Sequence, residues 1–373
     1  MIVSKFGGSS VRDAKAIWEC VDVVEEREDY GLVIISATYN TTNELEKIFD
    51  YYILGDITEA KRLWNSVFLR HKKIAEQLGE CFCRSTNEDV LNRLIDLDNQ
   101  FKIILKTNDK RECIRDIMLS YGERMSSWLF FNALKERLKN KRKVSLIFAP
   151  EYIKTNNKFC RAIPNIEETT KKTLELRPLI DSGELLVTQG FIGSTMDMSI
   201  TTLGREGSDY SATIFGAALG AKCIDIWTDV DGIYNADPNF IEHATRFQEL
   251  SFFDASLMAS HGAKVLFDKT LGPLKGLNIP LRVGKTSSPQ LGNTTIIEQS
   301  QFSYDLLGLT FKELERGGLL TFLGRDVSKL TINEKEVESG NLFRSFKIEN
   351  KSWRETCQNY YDKFFNSISH RRV

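Results

Sequence analysis

The chain has 373 residues, 42% hydrophobic and 27% charged, with a formal net charge of −1. That length allows roughly two or three domains with a substantial core, and the composition is that of a globular protein. The near-neutral balance gives no electrostatic reason for a nucleic-acid or anionic-membrane partner, no apolar run is long enough to span a bilayer, and the seven scattered cysteines complete neither a disulfide framework nor a zinc set.

The N-terminus enters a strand directly, with no basic segment followed by an apolar leader, so a cytoplasmic location with reduced thiols is expected. Residues 2–6 read as that strand. Gly7-Gly8-Ser9-Ser10 breaks it, and Ser9 or Ser10 is placed to cap a helix with apolar positions at Ala14, Ile17, Trp18, Val21 and Val24. Residues 31–36 are a continuous apolar strand of the kind found in a parallel sheet covered on both faces. The start of the chain is therefore a βαβ unit. Lys5 stands near the first strand's carboxyl end, where open α/β sheets bind ligands, and reads either as an edge lysine or as a phosphate-binding cation. The turn lacks the Gly-Lys-Ser/Thr of a P-loop.

Residues 41–138 are almost wholly helical in pattern. Thr41-Thr42-Asn43-Glu44 has capping-box spacing. Leu63, Trp64, Val67, Phe68, His71, Ile74 and Leu78 mark a second helix, on whose apolar stripe His71 reads as a packed histidine. Val90, Leu91, Leu94, Phe101, Ile104 and Leu105 mark a third. In the fourth, Gly122 suggests a break, with Glu123 opening a new helix as surface charge.

Strand pattern returns at residues 144–148 and 185–188. Leu203-Gly204-Arg205-Glu206-Gly207-Ser208-Asp209-Tyr210-Ser211-Ala212 then leads into a helical run. Gly204 and Gly207 permit a tight turn near a ligand, Ser208 or Asp209 can cap the helix, its N-terminus is an anion site, and Arg205 suits a carboxylate. The same stretch reads equally as a glycine turn before a structural helix. Residues 223–228 are a strand, residues 261–266 begin or continue a helix carrying Lys264, and residues 280–283 are the last clear strand of the body. After Ser300 the elements shorten. The final helix opens at Ser352-Trp353-Arg354-Glu355 with Trp353, Cys357, Tyr360, Phe364 and Phe365 on one side. Strands alternating with helices mean an α/β fold with a mostly parallel sheet. Two glycine-rich strand-to-helix turns with Lys5, Arg205, Asp209 and a further Lys264, and no evident nucleophile or metal-ligand cluster, suit phosphoryl transfer. A carboxylate acceptor is already ionised at neutral pH and needs no general base.

Ser4-Lys5-Phe6-Gly7-Gly8-Ser9-Ser10-Val11, Thr42-Asn43, Gly122-Glu123, Val187-Thr188-Gln189-Gly190-Phe191-Ile192-Gly193, the Leu203 motif, Trp227-Thr228-Asp229-Val230-Asp231-Gly232-Ile233-Tyr234 and Gly262-Ala263-Lys264-Val265-Leu266 occur in that order over residues 1 to about 297. On these the chain resembles the aspartate kinases of the amino-acid kinase superfamily. The resemblance implies a three-layer α/β/α catalytic domain over residues 1–300, with a helical subregion at about 41–140 and a nucleotide-binding part at about 185–297. A truncated ACT-like α+β region would follow over residues 301–373. It implies transfer of the γ-phosphoryl group of Mg-ATP to the side-chain carboxylate of L-aspartate, giving 4-phospho-L-aspartate for lysine, threonine and methionine biosynthesis, in a cytoplasmic homodimer. Under that resemblance Lys5 and Lys264 neutralise the phosphates and the transferring group, and Asp209 orients the lysines. Arg205 pairs with the substrate's α-carboxylate, Glu123 takes its α-ammonium, and Thr42 and Ser208 contact it. Gly7, Gly8 and Ser9 hold the phosphates, and Thr228, Asp229, Tyr234 and Asp237, with Lys264, line the nucleotide site. Mg2+ rides on the ATP phosphates, with no separate protein metal site.

Several positions depart from the family pattern. Asn239 replaces a frequent arginine, Phe267-Asp268-Lys269 replaces a His-Pro-Ala run, Tyr39-Asn40 stand where small residues are common, and Glu206 replaces a frequent glycine. The tail gives one strand and turn of an ACT module at residues 318–329, then an extended stretch at 330–333 and a single final helix. Residues 367–373 are too polar for a convincing buried strand, so no effector site for lysine or threonine is expected. Two other functions stay open: a same-fold kinase acting on another amino-acid carboxylate, and an inactive amino-acid or nucleotide sensor.

Overall fold

A computed structural model describes residues 1–107, 109–263, 268–349, 352–365 and 371–372. Its contacts divide them into two units, Met1–Asp229 with Gly284–Leu291, and Val230–Val283 with Gly292–Val373.

The first unit begins β1 (Ile2–Phe6), α1 (Ala14–Glu25) and β2 (Tyr30–Ile35). Every residue of both strands is buried, as expected where apolar, largely β-branched runs are covered on both faces. α1 starts later than the serines suggested. Ser9 and Ser10 lie in the turn, and Asp13 caps the helix by accepting the Ala16 N–H at 2.8 Å. Four helices follow: α2 (Thr41–Leu54), α3 (Ile57–Gly79), α4 (Arg84–Ile104) and α5 (Glu112–Leu138). The capping box at Thr41 does not form. The flanking residue is Asn40 at φ 64°, whose side chain caps no backbone group, and Glu44 instead pairs with Arg70 on α3. Then come β3 (Val144–Leu146), α6 (Ala149–Tyr152), α7 (Ile166–Leu174), α8 (Arg177–Asp181), β4 (Leu185–Gln189), β5 (Ile192–Ser194), β6 (Ile200–Thr202), α9 (Gly207–Ala218) and β7 (Cys223–Thr228). The parallel ladder runs β3-β4-β2-β1-β7. β5 and β6 form a separate antiparallel pair. α5 lies against β2, β3 and β4, and α9 against β1, β2 and β7. This is the expected α/β architecture, with helices packed on a parallel sheet.

The expected break at Gly122 is absent, because α5 runs through it and buries both Gly122 and Glu123. The glycine serves close approach. A Cβ on it would lie 2.8 Å from the Ala37 Cβ, 3.3 Å from the Thr41 Cγ2 and 3.4 Å from the Leu45 Cδ1. Helix propensity alone favours alanine here by about 1 kcal/mol, so the contact with the loop after β2 must outweigh it.

The second unit contains β8 (Glu249–Ser251), α10 (Phe252–Ser260), α11 (Asp268–Leu271), β9 (Leu281–Lys285) as far as Val283, β10 (Asn293–Ile297) and β11 (Phe302–Ser303), followed by β12 (Gly308–Glu313), β13 (Gly318–Leu323), β14 (Lys335–Gly340), β15 (Phe343–Ile348), α12 (Trp353–Phe365) and β16 (Arg371–Arg372). α10 ends at Ser260, so the helix read over residues 261–266 does not continue it; His261 to Ala263 form a turn, and residues 264–267 lie outside the description. β12 to β15 make an antiparallel sheet in the order β12-β13-β15-β14. Only a short 3-10 turn, Val327–Lys329, stands between β13 and β14, where a regular ACT module carries a helix. α12 is the expected final helix. Its buried positions are Trp353, Cys357, Tyr361 and Phe365, with Tyr360 and Phe364 partly buried beside them. The Tyr361 hydroxyl donates to Asn235 Oδ1 and to the His243 carbonyl, both at 3.1 Å, and Phe240 stacks on Phe311 at 3.9 Å. The tail thus shares one core with residues 236–244 rather than standing apart from the body. β16 pairs with β11 over two residues in the stretch read as too polar for a strand.

Gly122→Ala should destabilise the protein by roughly 1 kcal/mol net, the overpacking cost exceeding the propensity gain. Urea denaturation checks this, and a stabilised variant would show that α5 and the loop have room to spare.

Candidate functional site

The ladder order places the carboxyl ends of β1, β2 and β7 beside the N-terminus of α9, all in the first unit. A cavity of about 690 Å3 opens there. It is lined by Lys5, Gly8 and Ser9 from the first turn, Thr42 from α2, Glu123 from α5, Arg205, Ser208 and Asp209 from the Leu203 motif, and Asp229 after β7. Nine of the residues named from sequence therefore share one cavity.

Lys5 is 7% exposed, so it is no edge lysine. Its Nζ pairs with Asp209 Oδ1 at 2.5 Å. Asp209 sits in the first turn of α9 and caps nothing. The flanking position is Glu206, in left-handed backbone at φ 55°, with no side-chain cap, and Ser208 likewise lies inside the helix. In that first turn Gly207 donates its N–H to the Gly204 carbonyl at 3.0 Å, and Asp209 and Tyr210 donate theirs to the Glu206 carbonyl at 3.1 and 3.2 Å, so it is the positive end of α9, at Gly207 and Ser208, that lines the cavity beside a buried ammonium, an arrangement suited to an anion. Gly7 donates its N–H to the Trp227 carbonyl at 3.0 Å. Gly8 is required by close approach, since a Cβ there would stand 2.8 Å from the Ala37 carbonyl oxygen.

Glu123 projects from the middle of α5 with 2% exposure. Its Oε1 accepts the Ala37 N–H at 3.2 Å, while Oε2 is buried with no hydrogen-bond partner. Burial pushes its carboxyl up to about 8, the Ala37 N–H opposing only in part. A buried carboxylate oxygen without a partner is costly unless a ligand supplies a donor. Arg205 is the opposite case: its side chain is 78% exposed and its nearest carboxylate is the adjacent Glu206 at 3.9 Å.

A hydrogen-bond chain missed in the sequence fixes the loop after β2. His71 Nδ1 faces the Val67 carbonyl at 2.8 Å and must donate to it, so Nε2 accepts from the Thr38 hydroxyl at 3.0 Å. Thr41 donates to Thr38 at 2.6 Å, and Arg70 donates to Thr41 at 2.8 Å. Burial holds His71 down at about 4, so it stays neutral and keeps that acceptor. His71 is packed, as its apolar stripe suggested, yet its ring nitrogen sets a loop that lines the cavity. The only sequence signal was a histidine followed at a distance by nothing to pair with.

Gly7 and Thr228 neighbour the cavity residues in sequence, and the Thr228 hydroxyl donates to Asp229 Oδ1 at 3.0 Å. Tyr234 and Asp237 belong to the second unit. There the Tyr234 hydroxyl donates to Asp231 at 2.9 Å, and Asp237 Oδ1 accepts the Asn239 backbone N–H at 2.9 Å and its side-chain amide at 3.2 Å. Asn239, the departure from arginine, is thus a turn-forming partner of Asp237. Lys264 and Phe267 lie outside the described residues, as does the Asp268 side chain. Among the described residues no group of three or more His, Cys, Asp or Glu is placed to hold a metal ion, and no helix is long and apolar enough to cross a membrane.

The sequence profile of the amino acid kinase family matches residues 1–285. The chain is 34% identical over 303 residues to lysine-sensitive aspartokinase 3 of Escherichia coli, covering 81% of this chain and 65% of that protein. It is 31% identical over 314 residues to the chloroplastic aspartokinase 2 of Arabidopsis thaliana, covering 82% of this chain and 56% of that one. The chain thus spans less than two thirds of the length of these relatives. Among solved structures, E. coli aspartokinase III in complex with aspartate and ADP superposes with a TM-score of 0.84 at 25% identity, covering 98% of this chain and 100% of that chain.

In an unfolded chain the Glu123 carboxyl titrates near the usual value of about 4.3, whereas the folded protein keeps it protonated up to about 8. Between these values the folded state binds more protons, so this group's contribution to stability falls as pH rises and is lowest above about pH 8. Glu123→Gln should therefore gain stability relative to the parent on going from about pH 5 to about pH 9. Denaturation at both pH values, without ligand, checks it; a pH-independent difference would mean the carboxyl ionises normally.

Proposed function

The chain belongs to the amino acid kinase family, and from that premise we propose that it transfers the γ-phosphoryl group of ATP to the side-chain carboxylate of L-aspartate. The observation that carries this reading is the pairing, in one cavity, of an unpartnered buried carboxylate oxygen on Glu123 with an exposed guanidinium on Arg205. The two complement an α-ammonium and an α-carboxylate, so the acceptor is an α-amino acid. The likeness to an aspartokinase structure holding aspartate and ADP supports aspartate as that amino acid.

The chemistry follows from charge and position. The acceptor carboxylate is a ready nucleophile at neutral pH, and no residue need remove a proton from it. Lys5, oriented by Asp209, with the positive end of α9 and the Gly7-Gly8-Ser9 turn, where Gly7 is tied to Trp227 and Gly8 and Ser9 line the cavity, would hold the phosphates and the charge that spreads over the transferring group. Thr42 and Ser208 would contact the amino acid. Thr228, Asp229, Tyr234, Asp237 and Lys264 would serve the nucleotide, as the resemblance implies. The donor set suits Mg2+ bound through the phosphates and water, since the described residues offer no carboxylate cage and Asp209 is engaged by Lys5. Residues 301–373, with their antiparallel sheet and α12, would be the ACT-like region of the same reading.

The direct test is ADP release over a panel of amino acids, with aspartate expected as the substrate. Release with glutamate but not aspartate would move the assignment to another acceptor, and release with none would favour a sensor. Lys5→Ala should lower kcat roughly a hundredfold to a thousandfold, about 3–4 kcal/mol of transition-state stabilisation. Turnover above about a tenth of the parent would remove Lys5 from the mechanism. Arg205→Lys keeps the charge and loses the planar fork, so the KM for aspartate should rise while that for ATP changes little. A rise in the ATP KM instead would assign Arg205 to the nucleotide.

A further inference from the structure

Asp116 lies on α5 seven residues before Glu123. Seven residues are nearly two turns, so both side chains leave the same face of the helix about 10 Å apart along its axis. Asp116 is fully buried, at 0% exposure. Its two oxygens collect three donors from two other segments. The Cys160 N–H lies 2.9 Å from each oxygen, the Thr202 N–H reaches Oδ2 at 2.8 Å, and the Thr202 hydroxyl reaches Oδ1 at 2.9 Å.

Both segments lead to the cavity. Cys160 lines it and holds left-handed backbone at φ 68°, a conformation that costs a non-glycine residue about 1–2 kcal/mol unless its surroundings hold it. The carboxylate that takes its N–H is such a hold. The Cys160 carbonyl in turn backs Gly204, whose Cβ, if it had one, would stand 3.5 Å away, and Ala162 donates its N–H to the Thr202 carbonyl at 2.8 Å. Thr202 ends β6, and Arg205 follows after only Leu203 and Gly204. Among the described residues β6 pairs as a strand only with the short β5. The Asp116 carboxylate is what hydrogen-bonds β6 to the helix that carries Glu123.

We infer that Asp116 is a positioning residue which sets the separation between Glu123 and Arg205, and through it the reach of the site for an α-amino acid. The inference rests on the proposed reading of those two residues as the ammonium and carboxylate partners. It also explains why one buried acid is engaged by two other segments, the turn at Cys160 and the end of β6. A looser link would let Arg205 drift relative to Glu123, weakening the amino acid while leaving Lys5, Asp209 and the phosphate turn in place.

Two variants test it. Asp116→Asn keeps the shape but turns an NH2 group toward one of the three donors. Thr202→Val keeps the shape and removes one donor, and it serves where Asp116→Asn does not fold. Both should raise the KM for aspartate, Asp116→Asn by roughly tenfold to a hundredfold and Thr202→Val by less, with kcat and the ATP KM changed much less. In an Arg205→Lys background Thr202→Val should add little further, since both act on the same guanidinium. Hydrogen exchange at residues 202–207 should quicken in both variants while that of β1 stays slow. An unchanged aspartate KM, an equal rise in the ATP KM, or full additivity with Arg205→Lys would overturn the inference. If the parent shows no turnover or binding with any amino acid, the proposed function falls. The exchange measurement then decides alone, and unchanged protection at residues 202–207 would overturn the link.

Discussion

The buried pair between Lys5 and Asp209 is the contact on which the rest of the site depends. Taking two charges out of water is costly, and only close pairing, here 2.5 Å, offsets it. The geometry follows from topology. A parallel β1 flanked by β2 and β7 puts Lys5 at the carboxyl end of the sheet, and α9 packs on the same strands with its first turn beside that end. The carboxylate fixes the ammonium at the head of the helix. A buried cation, the positive end of α9 and a glycine turn then face one cavity, and an anion entering it meets preorganised charge rather than side chains that must first be ordered.

The acceptor end works by the opposite logic. Lys5 has its counter-charge within the protein, whereas Glu123 is left with one oxygen unpartnered and its carboxyl held up at about 8 by burial. A ligand ammonium would supply the missing charge and take the place of the proton. In this reading amino-acid binding near neutral pH is coupled to proton release from Glu123. The coupling exists because Gly122 lets α5 approach the loop after β2 closely enough to exclude water, and because the His71–Thr38–Thr41–Arg70 chain holds that loop still.

The second unit shows a different economy. Between β13 and β14 stands only a 3-10 turn, and the four-stranded antiparallel sheet is completed at one edge by β12, which precedes β13 in the chain. The apolar side of α12 is covered by residues from both β13 and the 236–244 stretch.

Much of the local structure was legible in the chain, as were Lys5 and Asp209, which the fold brings together as a buried pair. Continuous apolar runs such as residues 31–36 and 185–188 read as strands of the kind found in a covered parallel sheet, and the glycine turns beside Lys5 and before Asp209 marked strand-to-helix junctions. These are short-range signals, carried by neighbouring residues. Tertiary structure decided the rest, because burial and pairing depend on residues far apart in the chain. Glu123 reads as surface charge until α5 is seen to run unbroken past Gly122 into the core. His71 reads as no more than a packed histidine, Asp116 carries no signal in its neighbours, and both gain their contacts only when Thr38, Cys160 and Thr202 arrive from other segments. Helix starts were misplaced for the same reason: a serine or threonine can cap wherever it stands, and the tertiary course of the chain chose Asp13 and Asn40 as the flanking residues instead.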